Sequence, residues 1–240
     1  MNESERLDKV ISTQTSYSRK DIKRMARSGE ILVNGKICKN SDVKINPEKD
    51  VITIGTDKIS YKRHVYYMMN KPKGVLSASN DKNATTVVDI LPPQLKRKNL
   101  FPAGRLDKDT TGLLIITDDG DFAHRMLSPN KQVYKHYIAT LDKELDDTVK
   151  ERFESGIVLS DGTVCQKAYF DKLSENTALV KICEGKFHQV KKMFLSCSYT
   201  VTELKRVQIG NLRLDEELEP SGVREMTQEE INSVFDGKIY

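Results

Sequence analysis

Gly104-Arg105-Leu106-Asp107-Lys108-Asp109-Thr110-Thr111-Gly112-Leu113-Leu114-Ile115-Ile116-Thr117-Asp118-Asp119-Gly120 sets a charged turn between two glycines directly against an unbroken apolar run. Leu113 to Ile116 reads as a buried strand and the residues before it as a loop. Asp107 is thereby carried on a loop beside a rigid element, where catalytic side chains are commonly held, and a carboxyl with an ordinary pKa of about 3.9 is ionised at neutral pH without a partner base. Residue type alone equally allows an aspartate that caps a turn, since Asp and Thr beside Gly are ordinary turn residues. Two sharper readings fail on register. Asp107, Asp109, Thr111, Gly112 and Asp118 have the spacing of a calcium loop, but Leu113 to Thr117 between them belong in a core strand. The Asp-x-Asp-x-Thr pattern of metal-dependent phosphoryl transfer needs its first aspartate at the end of a buried strand, and here Pro102-Ala103-Gly104-Arg105 precedes it.

The whole stretch resembles the Gly-Arg-Leu-Asp-x-Asp-Thr-Thr-Gly-Leu-Leu signature of pseudouridine synthases, in the branch of ribosomal small-subunit pseudouridine synthase A. Arg-Leu-Asp by itself also occurs at Arg6-Leu7-Asp8. The extension through Asp118-Asp119-Gly120, and further matches in order along the chain, carry the resemblance. It implies that Asp107 is the nucleophile and that Arg105 contacts RNA where the target base leaves its stack.

Composition agrees with a soluble chain. The 240 residues are 31% charged and 38% hydrophobic, enough for one large domain or two smaller ones. No apolar run approaches the roughly 20 residues of a membrane helix, and Met1-Asn2-Glu3-Ser4-Glu5 is a polar start unlike a signal peptide. The expected compartment is the cytoplasm. Cys38, Cys165, Cys183 and Cys197 lack metal-like spacing and read as reduced thiols. Of the net charge of +4, residues 1 to 60 contribute +3, with twelve Lys and Arg against nine Asp and Glu. Arg19, Lys20, Lys23, Arg24, Arg27, Lys36 and Lys39 crowd together there, a footprint for a phosphate backbone as well as an ordinary solvated face.

Leu7, Val10 and Ile11 predict a short amphipathic helix. Ser18 predicts the N-cap of a second, with Ile22, Met25 and Ala26 buried and Gly29 as its stop. Asn34-Gly35 between Ile31-Leu32-Val33 and Lys36-Ile37-Cys38 is a hairpin signal, because both turn residues accept positive φ. Val51 to Ile54 adds a strand. These segments, over about residues 3 to 59, look like the S4 RNA-binding domain. The resemblance makes Arg19, Lys20, Lys23, Arg24 and Arg27 the phosphate contacts.

Beyond a linker at 60 to 63, His64 to Met69 predicts a central strand and Asn70-Lys71-Pro72-Lys73-Gly74 a turn whose lysines either touch RNA or are plain turn residues. Thr85 to Leu91 predicts a short helix, as does Asp121 to Leu127. Strands are expected at Val133 to Leu141, Val164 to Phe170, Ala178 to Cys183 and Val201 to Ile209. Helices are expected at Asp146 to Glu154 and, from the Thr227-x-x-Glu230 capping box, at the end of the chain. Lys135-His136-Tyr137-Ile138 resembles the family's Lys-x-Tyr motif, whose tyrosine stacks against the target base. Tyr137 takes that place, with Tyr134 as a nearby alternative, and His136 receives no role. Glu184-Gly185-Lys186-Phe187-His188-Gln189-Val190-Lys191-Lys192 resembles the family's third motif, in which the basic residue matching Lys191 pairs with the nucleophile. Its plain reading is a surface lysine, which Lys192 fits as well.

These readings combine into an α+β protein. A small S4 domain at 1 to 59 precedes a catalytic domain at 64 to 240, with a mixed, largely antiparallel sheet and flanking helices. The implied reaction is isomerisation of uridine to pseudouridine in small-subunit (16S) ribosomal RNA or its assembling ribonucleoprotein, by a monomer. Asp107, Tyr137 and Lys191 would be catalytic, with no metal, no organic cofactor and no membrane involved. The alternatives are an RNA-binding ribosome-assembly factor without activity, or a synthase acting on large-subunit RNA.

Overall fold

The computed structural model describes residues 4–15 and 17–236; the polar start at residues 1 to 3 lies outside them. By internal contact the chain divides into two units. One holds residues up to Val65 together with Pro93–Asn99, the other Tyr66–Pro92 and Leu100 onward. The sequence alone reads as a second domain in one uninterrupted run from 64. Contact instead returns Pro93–Asn99 to the first unit, where Arg97 donates to the carbonyls of Lys62 at 2.8 Å and Arg63 at 3.1 Å.

The first unit begins with β1 (Glu5–Arg6) and two helices, α1 (Leu7–Gln14) and α2 (Arg19–Ser28). A four-stranded antiparallel sheet follows, built from β2 (Ile31–Val33), β3 (Lys36–Ile37), β5 (Ile52–Ile54) and β6 (Asp57–Ile59); β4 (Lys44–Ile45) pairs with β1 instead. Local chemistry sets these limits. The Ser18 hydroxyl accepts from the Asp21 N–H while the Asp21 carboxylate accepts from the Ser18 N–H, a reciprocal cap, and Gly29 closes α2 at φ 82°. Asn34 and Gly35 turn the hairpin with φ of 53° and 77°. Leu7, Val10, Ile11, Ile22, Met25 and Ala26 pack with Ile31, Ile52 and Ile54 into one core, which leaves the basic residues of α2 outside.

The second unit is a nine-stranded sheet. Its main order runs β11 (Tyr169–Ser174), β12 (Thr177–Ile182), β10 (Lys135–Leu141), β13 (Val201–Ile209), β9 (Thr111–Thr117), β7 (Tyr66–Lys71) and β15 (Val223–Glu225). Two short strands, β8 (Phe101–Pro102) and β14 (Leu212–Arg213), pair at the side with β9 and β13. All pairings are antiparallel except β9 with β13. Gly112 explains that contact: a Cβ there would lie 2.2 Å from the Arg206 carbonyl oxygen, so only glycine permits the two backbones to approach. Flanking helices are α3 (Gly120–Leu127), α4 (Thr148–Ser155), α5 (Gln189–Ser196) and α6 (Gln228–Ser233), the last started by the Thr227 and Glu230 capping box. Phe122, Ala123 and Met126 of α3 pack on Met68, Leu113 and Ile115, while Phe153, Phe170 and Phe194 fill the other end with ring centroids 4.8 to 6.2 Å apart.

Two expected elements differ. Thr85 to Leu91 is a bridge and turn, because the Asp89 carboxylate accepts from the Thr86 N–H and hydroxyl at 2.8 Å and Thr86 pairs with Leu76. Its run of Thr85, Thr86, Val87 and Val88 also disfavours helix through β-branching. Val164 folds back on Val158 after α4, so the sheet strand begins only at Tyr169.

Candidate active site

Asp107 lies in the loop that β9 ends, and the loop is held from beneath. Lys71, the last residue of β7, is fully buried, and its Nζ lies 3.0 to 3.3 Å from the carbonyl oxygens of Pro72, Asp107, Lys108 and Thr110. Burial lowers its pKa to about 8. Two other groups of the same segment add to the clamp. The Gly74 N–H donates to the Lys108 carbonyl at 2.8 Å, and the Ser77 hydroxyl donates to the Leu106 carbonyl at 2.9 Å while accepting from its N–H at 3.0 Å. Of the two readings of Lys71, neither describes this place: it is an internal cation solvated by main-chain carbonyls. Ser77 was not singled out from sequence at all, because its partner is 29 residues away.

The third motif supplies the opposite wall. Glu184 accepts from Gln189 Nε2 at 2.6 Å and from the Gln166 N–H at 2.9 Å and pairs with Lys186, while Gln189 Oε1 accepts from the Lys186 N–H at 2.9 Å. These bonds curl the loop tightly before α5, and His188 enters the helix at φ 53°. Lys191, one turn into the helix neighbourhood of that loop, then reaches Asp107 Oδ2 at 3.6 Å and Asp109 Oδ1 at 2.5 Å. The expected partner of the nucleophile therefore divides its charge, with the closer bond to Asp109, whose carboxyl Lys191 holds below its ordinary pKa. His188 Nε2 stands 3.5 Å from Asp107 Oδ1. Sequence reasoning passed over His188, and the only signal was its position three residues before Lys191.

Tyr137 projects from β10 into the same cleft, beside Arg105, Asp107, Thr110, Lys186 and His188, around a half-open space of about 70 Å³. Its alternative, Tyr134, packs edge-on against Tyr169 instead, with centroids 5.8 Å apart, and does not line the cleft. His136 points to the other face of the sheet, where burial lowers its pKa to about 4 and keeps it neutral. Arg105 is exposed at the rim, and Lys192 pairs with Asp161 at 3.2 Å. The Thr110 hydroxyl is buried in the cleft wall and has no hydrogen-bond partner among the described residues. Arg19, Lys20, Lys23, Arg24 and Arg27 are all exposed on α2, in the other unit.

A mixed sheet thus carries a cleft lined by Asp107 and Tyr137, with Lys191 reaching the Asp107 carboxylate, and comparison with known proteins gives the class of protein. The family model for RNA pseudouridylate synthase matches residues 65–196, and that for the S4 domain matches residues 5–52. The chain belongs to the RNA pseudouridylate synthase family. It is similar to ribosomal small subunit pseudouridine synthase A of Escherichia coli strain K12, 37% identical over 95% of this chain and 99% of that one. An uncharacterised RNA pseudouridine synthase of Bacillus subtilis is 39% identical over 95% of this chain and 97% of its own length. Among solved structures, a pseudouridylate synthase crystal structure superposes with a TM-score of 0.68 at 33% identity, covering 95% of this chain and 99% of that one.

Proposed function

We propose that this protein converts uridine to pseudouridine in small-subunit ribosomal RNA, with Asp107 as the nucleophile. The observation that carries the reading is Asp107 beside Tyr137 in the wall of one cleft, with the Lys191 ammonium 3.6 Å from the Asp107 carboxylate. The relatives named for small-subunit RNA, similar over nearly the whole chain, support the choice of substrate.

Isomerisation breaks the bond between N1 of uracil and C1′ of ribose and forms one between C5 and C1′. The C5 proton is lost to solvent and N1 gains one, so no oxidant or co-reactant is consumed. Asp107 acts on the ribosyl-uracil unit, Tyr137 stacks on the base while it turns, and Lys191 supplies positive charge beside the carboxylate. A base taken from folded RNA must first be unstacked, at roughly a few kcal/mol, which contacts to the surrounding strand offset. Arg105 at the rim and the exposed cations of α2 are suited to those contacts.

Pseudouridine mapping of ribosomal RNA from cells with and without the gene tests this. One small-subunit position should lose its pseudouridine in the deletion and regain it with the wild-type gene but not with Asp107→Asn. Loss confined to large-subunit RNA would redirect the substrate, and no loss anywhere would favour a non-catalytic assembly factor.

A further inference from the structure

Phe187 is 70% exposed, whereas Phe153 and Phe194 of the same unit are fully buried. It stacks on His188, with ring centroids 3.9 Å apart and planes inclined by 17°. His188 is itself held at φ 53°, a left-handed conformation that non-glycine residues adopt rarely and that gathers at functional sites. The far edge of this two-ring stack is 3.5 Å from Asp107. Lys192 Nζ lies over the Phe187 ring at 5.5 Å from its centroid, within cation–π range, and the residue nonetheless stays 70% exposed.

We propose that Phe187 and His188 form a stacking platform for a base that flanks the target uridine in the RNA strand. The proposal rests on the reading of Asp107 as the reacting group. Extracting one base from a stack exposes the faces of its neighbours, and RNA-binding proteins cover such faces with aromatic rings. Here the platform begins one side chain from the reacting carboxylate, where the nucleotide next to the target must pass. Lys186 and Lys192, paired with Glu184 and with Asp161, flank it in the chain and add positive charge beside that strand. Neither ring was given a role by the sequence, because a Phe-His pair ahead of a helix is unremarkable until its exposure is known.

Tritium release from small-subunit RNA transcribed with uridine labelled at C5 reads the reaction, at single turnover and over a range of enzyme concentrations. Phe187→Ala should raise the concentration for half-maximal rate about tenfold, the size of one lost base–ring stack, with the saturating rate far less affected. Phe187→Trp keeps a π face and should restore the wild-type curve. Phe187 is exposed, so the melting temperature should be unchanged in both variants, which separates lost stacking from lost fold. The proposal is overturned if Phe187→Ala matches the wild type, or if Phe187→Trp is as impaired as the alanine variant. If wild-type protein releases no tritium, the reading of the reaction fails. Filter binding of the same transcript then judges the platform separately, and equal affinity of wild type and Phe187→Ala overturns it.

Discussion

Two groups of cations, one in each unit, are solvated in opposite ways. Arg19, Lys20, Lys23, Arg24 and Arg27 stand in water on α2, and among them only Arg24 has an ion pair within the described residues, to Asp21 at 3.7 Å. Lys71, Lys135 and Arg206 of the second unit are buried and donate to main-chain carbonyls, Lys135 to that of Met126 at 3.3 Å and Arg206 to that of Leu113 at 2.8 Å. The first group can exchange water and counterions for an RNA backbone; the second has already exchanged water for the protein's own backbone. Charge counted from the sequence treats these groups alike, although only one is available to a partner.

The largest expected effect is at Asp107, the proposed nucleophile. Asp107→Asn barely changes size, so single-turnover tritium release should fall by roughly three orders of magnitude or more while RNA retention on filters stays near wild type. A near-normal rate in the purified variant would remove Asp107 from the chemistry. Next, Lys71→Met strips four carbonyls of their shared donor and should lower unfolding free energy in denaturant by about 3 kcal/mol. Lys73→Met is its control: that exposed lysine pairs with exposed Glu203 at 3.3 Å, and its loss should cost less than about 0.5 kcal/mol. Equal effects would break the contrast between buried and exposed cations.

Replacing Lys23, Arg24 and Arg27 together by Ala leaves the cleft intact. It should flatten the log-log dependence of RNA affinity on salt by up to roughly one unit per lost phosphate contact, and saturating RNA should recover most of the rate. An unchanged slope would make α2 a merely solvated face. The smallest effect concerns pH. Burial lowers the Lys135 pKa to about 8, so above that pH the folded protein releases a proton that the unfolded chain keeps until about 10.4. This group therefore makes stability rise with pH across that window. Denaturant midpoints at about pH 8 and pH 9.5 should show a rise in wild type, relative to Lys135→Met, and a constant difference between the two would place Lys135 in contact with water.

Much of the architecture was legible because its causes are local. The Ser18 and Asp21 cap, the Asn34-Gly35 turn, the Thr227 cap and the apolar run from Leu113 to Ile116 each depend on residues within a few positions of one another, and each forms where the residue pattern puts it. The mixed sheet with its flanking helices follows from the family signature in the same stretch. Where a local rule had to compete, it lost: the helix expected at Thr85 to Leu91 gave way to the Asp89 carboxylate and the pairing with Leu76.

By itself the sequence determined most of the elements, their caps and the loop that carries Asp107, since hydrophobic period and turn chemistry are properties of neighbouring residues. Only the tertiary structure decided that Lys71 is a buried clamp reaching carbonyls 36 to 39 residues away, that Lys191 bonds Asp109 more closely than Asp107, and that His188 stands beside the Asp107 carboxylate with an exposed Phe187 stacked on it. Those facts depend on which strands the sheet brings together, above all on the parallel approach of β9 and β13 that Gly112 allows. A lysine reads the same in the chain whether water or carbonyl oxygens will surround it; the difference exists only once distant backbone has closed over the side chain.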